Sequence, residues 1–346
     1  VLLSVPFRQG IEANRGGTIV KDRVLSGMQA SGKVHLGNLV GALKNWVDLQ
    51  DKYDCFYFIA DWHALTTGYA NPATIKESTK DLLINFIAAG LDPEKSTIFI
   101  QSMVPQHAEL HLLLSMITPL GWLERVPTYK EKQVELKERD LSTYGFLGYP
   151  VLQTADIIIY RAKHVPVGID QMPHLEISRE IARKFNFQYR EVFPEPEGLL
   201  TEFPKVPGLD GRKMSKSYDN AIYLSDTPEV VDQKIRTMMT DPARKRKTDV
   251  GDPELSPVFH LHKIFSSPEE IEYCTHGCKT AAIGCIECKK ILIKNVFTYL
   301  EPIWKRRTEL INNPNELYAL AKKGSEKAAV VAEETMKIVR DVMGLA

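Results

Sequence analysis

An α/β fold, with a parallel sheet covered on both faces by helices and an all-helical C-terminal domain, is predicted by three observations. Short apolar runs alternate with amphipathic stretches through the first half of the chain. After about residue 224 the strand signals fade and helical periodicity takes over. The length of 346 residues, with 44% hydrophobic residues, suits two domains with a real core. Taken in order, residues 18–20 with 23–26 read as a strand, and 39–50 as a helix with Leu39, Leu43, Trp46 and Leu49 at helical spacing. Residues 55–60 form a buried strand. Asn71-Pro72 opens a long helix that ends at Gly90, and 96–100 is a third strand. Residues 165–168 make a short strand before a helix over 171–185. Strands and helices of this length, in alternation, indicate a parallel sheet, which binds ligands at the carboxyl ends of its strands. Further on, 226–240, 271–282, 285–300 and 325–342 read as helices. The segment 194–210, rich in Pro and Gly, reads as a linker or mobile loop. The division expected is an N-terminal extension over 1–20, an α/β domain over 21–223 and a helical domain over 224–346, its last helix packing back on the first domain.

The formal net charge is zero, which neither requires nor excludes a nucleic-acid partner, since a neutral chain can carry a local basic patch. One basic run, Arg244-Lys245-Arg246-Lys247, follows an Asp241-Pro242 turn and reads either as a solvated loop or as a phosphate contact. No apolar run reaches the roughly 20 residues of a membrane helix, and the first twenty residues carry charge too early for a secretory signal. Cys55 stands alone, whereas the other four of the five cysteines crowd between positions 274 and 288. Clustering of this kind suggests a metal site in a reducing, cytoplasmic setting rather than a disulfide framework.

The stretch GMQASGKVHLGN, residues 27–38, admits two nucleotide chemistries. Its first eight residues approach the phosphate loop G-x-x-x-x-G-K-[ST], but Val34 occupies the position where a hydroxyl must ligate Mg²⁺. The second reading uses His35-Leu36-Gly37-Asn38. Gly32 and Gly37 let backbone approach a ligand at a helix N-terminus, whose free N–H groups and positive dipole end suit phosphate. His35 is then placed to donate a hydrogen bond to charge developing at an α-phosphate. A lone H-x-G is a weak signal, and a single His near a turn is more often structural. Specificity comes from Lys213-Met214-Ser215-Lys216-Ser217, two lysines in a Gly-rich loop that can fold over a triphosphate and neutralise a leaving pyrophosphate.

With both segments present, the chain resembles the class I aminoacyl-tRNA synthetases, whose signatures are an HIGH-type motif and KMSKS. SGMQASGKVHLGN, DWHA, YPVLQTADIIIY, VPVGIDQMPHLEISREIARKFN and LDGRKMSKS together are similar to the tryptophanyl-tRNA synthetase family, over most of residues 24–345. The resemblance implies a Rossmann-like catalytic domain, a helical anticodon-binding domain and a homodimer. The activity it implies is attack of the L-tryptophan carboxylate on the α-phosphorus of ATP·Mg²⁺, followed by transfer of the amino acid to the terminal adenosine of tRNA(Trp). His35, Lys213 and Lys216 are its catalytic residues. Gln29, Ala30, Ser31, Gly37, Asn38, Gly168, Ile169, Asp170, Val206, Met214 and Ser215 join the two lysines in the ATP site, and Lys33 is a further candidate phosphate contact.

Tyr149, Gln153 and Asp156, spaced by four and three, share one helical face. A carboxylate on an otherwise apolar helix is costly to bury without a partner. An indole N–H is a donor only and a carboxylate an acceptor only, and in the family the Asp matching Asp156 takes the indole proton. The plainer reading is a core Asp held in a cap or ion pair. His63 and Gln171 complete the amino-acid pocket that the resemblance implies. The Tyr-x-x-x-Gln-x-x-Asp pattern also occurs in tyrosyl-tRNA synthetases, and many bacterial tryptophan enzymes carry Met where this chain has Gln153, so tyrosine stays open as the substrate.

Cys274, Cys278, Cys285 and Cys288 follow C-x3-C-x6-C-x2-C. On one unbroken helix they would span about 21 Å, too far for one metal centre. Gly277 and Gly284 are placed to break the helix and turn the chain back. Four thiolates suit a [4Fe–4S] cluster, with Zn²⁺ as the alternative. Some members of the family carry such a cluster, with a first ligand in a PE-x-C-P context. Here Ser256 stands in that position, and Cys274 is the candidate replacement. His276 is a possible zinc ligand but reads as a loop residue. Two further readings stay open: a phosphate-loop NTPase, and a catalytically inactive RNA-binding protein built around the metal site.

Overall fold

The computed structural model describes residues 21–127, 129, 141–200 and 206–345. The expected extension over 1–20, with the strand residues 18–20, lies outside them. Five parallel strands form one sheet in the order β3-β2-β1-β4-β5. They are β1 (Arg23–Gln29), β2 (Asp54–Ala60), β3 (Ser96–Ile100), β4 (His164–Val167) and β5 (Glu197–Leu200).

Alternation along β2 sorts two cores. Cys55, Tyr57 and Ile59 face one hydrophobic cluster, and Phe56 and Phe58 face the other. All five are buried, as expected for a central parallel strand with helices on both sides. The helical run after β1 is α1 (Leu36–Asn38), a π-helical turn over Leu39–Leu43, and α2 (Lys44–Leu49). After β2 come α3 (Asp61–Gly68) and α4 (Pro72–Ala88), and after β3 come α5 (Gln106–Ser115) and α6 (Leu120–Leu123). Next are α7 (Tyr144–Leu147) and α8 (Tyr149–Ile158), while α9 (Met172–Gln188) follows β4.

The linker expected over 194–210 is corrected at its start. Residues 197–200 are the fifth strand, pairing in register with 164–167. The sequence Glu-Gly-Leu-Leu has no β-branched residue and sits between prolines, so the strand exists through its partner rather than through its own propensity.

The C-terminal helices are α10 (Pro228–Thr237), α11 (Pro257–Phe265), α12 (Pro268–Lys279), α13 (Cys285–Asn312) and α14 (Pro314–Val342). Helix α11 is additional to those expected, and α14 starts at Pro314 rather than at 325. Two buried cations join α13 to its surroundings. Arg307 bonds Asn85 and, at 3.1 Å, Asp81 on α4. The Lys289 ammonium donates to the carbonyls of Arg236 and Met238 at the C-terminus of α10, where a cation is favoured.

Helix α14 covers β3, the edge of the sheet. The Ile100 N–H donates to Ser325 Oγ at 3.4 Å. A Cβ on Gly324 would lie 1.8 Å from the Ile98 carbonyl oxygen. An exposed edge would template pairing with another chain, and this helix closes it. Gly324→Ala is expected to destabilise the fold by about 2–3 kcal/mol through overpacking against backbone that cannot yield. A lowered urea midpoint with an unchanged slope is the result expected. An unshifted midpoint would mean that α14 is not docked on β3.

Candidate functional site

The carboxyl ends of β1 to β4 gather the predicted residues. Strand order reverses between β1 and β4, so the crevice for a ligand opens there. Gln29, Ala30 and Ser31 leave β1 on one side, and Gly168, Ile169 and Gln171 leave β4 on the other. Asp170 lies in the same short turn, where only its backbone is described. Ile169 is 82% exposed, an apolar surface with no protein cover at the mouth of the crevice.

His35 is the N-cap of α1 in a reciprocal capping box. The Asn38 N–H donates to His35 Nδ1 at 3.3 Å, and the His35 N–H donates to Asn38 Oδ1 at 3.2 Å. Because Nδ1 accepts, the neutral ring carries its proton on Nε2. Burial, helped by the charges of Lys216 and Lys213, lowers the pKa of His35 to about 4, so the ring is neutral at pH 7 and keeps a donor on Nε2. A Cβ on Gly37 would sit 2.9 Å from the ring, so only glycine leaves the imidazole this position. The helix starts at Leu36, after the loop rather than at Lys33, and Val34 is buried, which removes the phosphate-loop reading. Lys33 is exposed.

The second motif, far away in sequence, is tied to the first by backbone. His35 and Tyr223 form an antiparallel bridge. The Leu36 N–H donates to the Ile222 carbonyl and the Leu224 N–H to the Val34 carbonyl, both at 2.9 Å. Within the loop, Met214 N–H donates to the buried Val206 carbonyl at 2.9 Å and Ser215 N–H to Asn220 Oδ1 at 2.8 Å. Asn220 also donates to Asp210 at 2.7 Å, and Asp219 turns the chain with φ of 49°. Lys216 reaches back to the Ser31 carbonyl at 3.4 Å and passes over Gly32, whose φ of +113° suits glycine. Burial pulls the Lys216 ammonium below the usual lysine range. Lys213 is exposed, with its charge felt at His35.

The residues expected to line the amino-acid pocket form an adjoining group. Gln29 Nε2 donates to the His63 carbonyl at 3.4 Å, which links the two halves of the site. The His63 ring meets Tyr149 edge-on at 5.5 Å, and the Tyr149 hydroxyl lies 3.0 Å from His174 Nε2. Tyr149, Gln153 and Asp156 all lie on α8. Asp156 is held by two residues that sequence reasoning missed. Gln101, directly after β3, donates to both carboxylate oxygens at 2.7 and 2.8 Å, and His107 Nδ1 lies 2.7 Å from Oδ1. Burial pushes the Asp156 carboxyl up, against the pull of His107 and Gln101. Three of about four acceptor positions are thereby used, leaving one on Oδ2. The signal that could have found Gln101 is its place after a strand end; nothing local marked His107.

The cysteines lie elsewhere. Cys274, Cys278, Cys285 and Cys288 line one cavity of about 30 Å³ with Ser256, Arg244 and Phe259. None of the crevice residues lines it. The chain turns between α12 and α13, but Gly277 does not break the helix. It lies inside α12, and its missing Cβ admits Ile283, whose Cγ2 would be 2.3 Å away. The left-handed turn is taken by Ala281, with φ of 58°, and Gly284 caps α13. His276 is on α12 and exposed rather than in a loop. The histidine at the cavity is His262, whose Nε2 lies 3.3 Å from Cys288 Sγ and 3.9 Å from Cys274 Sγ. The three donor atoms lie within 4.8 Å of one another. In the basic run, Arg244 turns inward to bond the Ile283 carbonyl at 2.5 Å, while Lys245, Arg246 and Lys247 are exposed.

Residues 20–301 match the family described as class I tRNA synthetases (W and Y). The tryptophan–tRNA ligase of Thermotoga maritima is 55% identical over 325 residues, spanning 93% of this chain and 99% of the relative. That of Aquifex aeolicus is 43% identical, spanning 93% and 100%. The tryptophanyl-tRNA synthetase of Campylobacter jejuni, solved with ADP and tryptophan, superposes with a TM-score of 0.86 at 35% identity over 93% of this chain and all of that one. A tyrosyl-tRNA synthetase from Archaeoglobus fulgidus reaches a TM-score of 0.63 at 24% identity over 83% of this chain and 90% of that one, a likeness of fold alone.

Proposed function

The chain belongs to the class I tRNA synthetases of the tryptophan and tyrosine group, and from that premise we propose that it joins L-tryptophan to tRNA(Trp). The observation that carries the catalytic reading is the backbone bridge between His35 and Tyr223, which sets Lys216 over the turn at the end of β1. The choice of tryptophan is supported by the likeness to the Thermotoga maritima ligase over nearly its whole length.

In the first step the tryptophan carboxylate attacks the α-phosphorus of ATP·Mg²⁺, and the bond to pyrophosphate breaks. His35 donates Nε2–H to the α-phosphate, and Lys213 and Lys216 neutralise the leaving group. Gln29, Ala30, Ser31, Gly37, Asn38, Gly168, Ile169, Asp170, Val206, Met214 and Ser215 frame the nucleotide. His63, Tyr149, Gln153 and Gln171 hold the amino acid, while Asp156 accepts the indole N–H. Catalysis is positioning and charge stabilisation without a covalent enzyme intermediate. In the second step the amino acid passes to the terminal adenosine of the tRNA, whose anticodon is read by the helical domain, residues 224–346. The working form is a cytoplasmic homodimer. No helix among the described residues is long and apolar enough to cross a membrane.

ATP–pyrophosphate exchange with tryptophan and tyrosine in parallel tests this reading. Exchange with tryptophan alone is expected. Exchange with tyrosine alone keeps the chemistry and overturns the pocket, whereas exchange with neither removes the enzyme.

The four thiols around one cavity fit an inorganic group, and we assign them a [4Fe–4S] cluster that cross-links α12 and α13. One tetrahedral zinc ion would draw four sulfurs to about 3.8 Å of one another. The tight donor group here is instead His262, Cys274 and Cys288, with Cys278 and Cys285 outside it. The position of Ser256 on the cavity wall, where a hydroxyl replaces the family thiol, supports Cys274 as the substitute ligand. Metal analysis of the purified chain is expected to find about four iron atoms. One zinc ion per chain would instead favour the His262, Cys274 and Cys288 set.

A further inference from the structure

We propose that His107 and Tyr160 are positioning residues which, through Asp156, set the selectivity for an amino acid whose ring carries an N–H donor. The inference rests on the reading of Asp156 as the indole acceptor.

The geometry is a buried line of three side chains. Tyr160 Oη lies 2.6 Å from His107 Nε2, and His107 Nδ1 lies 2.7 Å from Asp156 Oδ1. Tyr160 and His107 are fully buried and Asp156 is 2% exposed. Burial holds the phenol well above its ordinary range, so Tyr160 keeps its proton. An ionised carboxylate only accepts, so His107 Nδ1 carries a hydrogen toward Asp156, and Nε2 is left to accept the Tyr160 hydroxyl hydrogen. Tyr160 thus holds the ring by its Nε2, and the ring presents the Nδ1 donor to the carboxylate.

Gln101 is fixed in the same manner. Its Oε1 accepts the His63 N–H at 3.2 Å, so its amide nitrogen faces Asp156 and donates to both oxygens. His111, one turn beyond His107 on α5, is kept toward the neutral form by burial. No lysine or arginine is hydrogen-bonded to the carboxylate among the described residues. The ionised state of Asp156 therefore depends on the hydrogen bonds from His107 and Gln101. Remove the His107 donor and burial favours the protonated acid. A protonated acid is no longer acceptor-only, and binding a ring without an N–H no longer strands a buried charge.

The test compares tryptophan with its benzothiophene analogue, in which ring sulfur replaces the N–H. In pyrophosphate exchange by the full chain, the ratio of kcat/KM for the two is expected to be on the order of 10⁴. His107→Leu is expected to lower that ratio by about 100-fold and Tyr160→Phe by about tenfold. His107→Asn places an amide N–H near Nδ1, so the ratio should return to within about threefold of the parent. A general structural defect would slow both substrates together and leave the ratio unchanged. An unchanged ratio in His107→Leu and Tyr160→Phe overturns the proposal, and if the leucine variant does not fold, Tyr160→Phe decides alone. A parent chain that uses both substrates equally well would overturn the Asp156 reading itself.

Discussion

Replacing Lys216 with alanine is expected to lower kcat for tryptophan-dependent pyrophosphate exchange by about 10²–10³ and leave KM for tryptophan within about threefold. The ammonium lies over Gly32 and bonds the Ser31 carbonyl. It therefore stands beside the turn at the end of β1, not beside Asp156. Its partial burial strips water from the charge, which makes the charge more effective toward a leaving pyrophosphate. Loss of an interaction realised only in the transition state appears in kcat. A rise in KM for ATP with kcat unchanged would assign Lys216 to ground-state binding instead. The two are separated by steady-state exchange at saturating and limiting ATP.

His35 is expected to make the chain acid-sensitive with a defined sign. Its pKa is lowered from 6.5 to about 4, first by burial and then by Lys216 and Lys213. Between these values the unfolded chain takes up a proton that the folded chain refuses. Stability is therefore highest above pH 6.5 and declines as pH falls toward 4, by about 3 kcal/mol for this group. His35→Asn keeps an N-capping side chain but removes the titration. In urea unfolding, the stability lost by the parent between pH 7 and pH 4 should exceed that lost by the variant by about 3 kcal/mol. Equal losses would mean that the imidazole titrates alike folded and unfolded.

The strands β2 and β3 were legible because each is a dense apolar run, β1 and β4 were legible in part from shorter apolar stretches, and the long helices because their apolar positions repeat at helical spacing. Strand β5 was not legible: four residues with no β-branched side chain carry almost no local signal. In the site, His35 and the two lysines were legible because their chemistry lies in contiguous motifs. His107 was not, because a histidine on a helix looks the same whether it faces solvent, core or a carboxylate. Its role depends on Asp156, 49 positions away. His262 was missed for the same reason, and His276, nearer to the cysteines in sequence, drew the attention that belonged to it.

The sequence by itself determined the α/β class, the crevice at the strand ends and the chemistry of the two motifs, because periodicity and contiguous motifs are local properties. Only the tertiary structure decided which nitrogen of His35 carries the proton, which side chains hold Asp156 and which histidine meets the cysteines. These depend on hydrogen bonds and burial among groups far apart in the chain. A buried charge or tautomer is set by whatever lies within about 3 Å of it, and that neighbourhood exists only once the chain has folded.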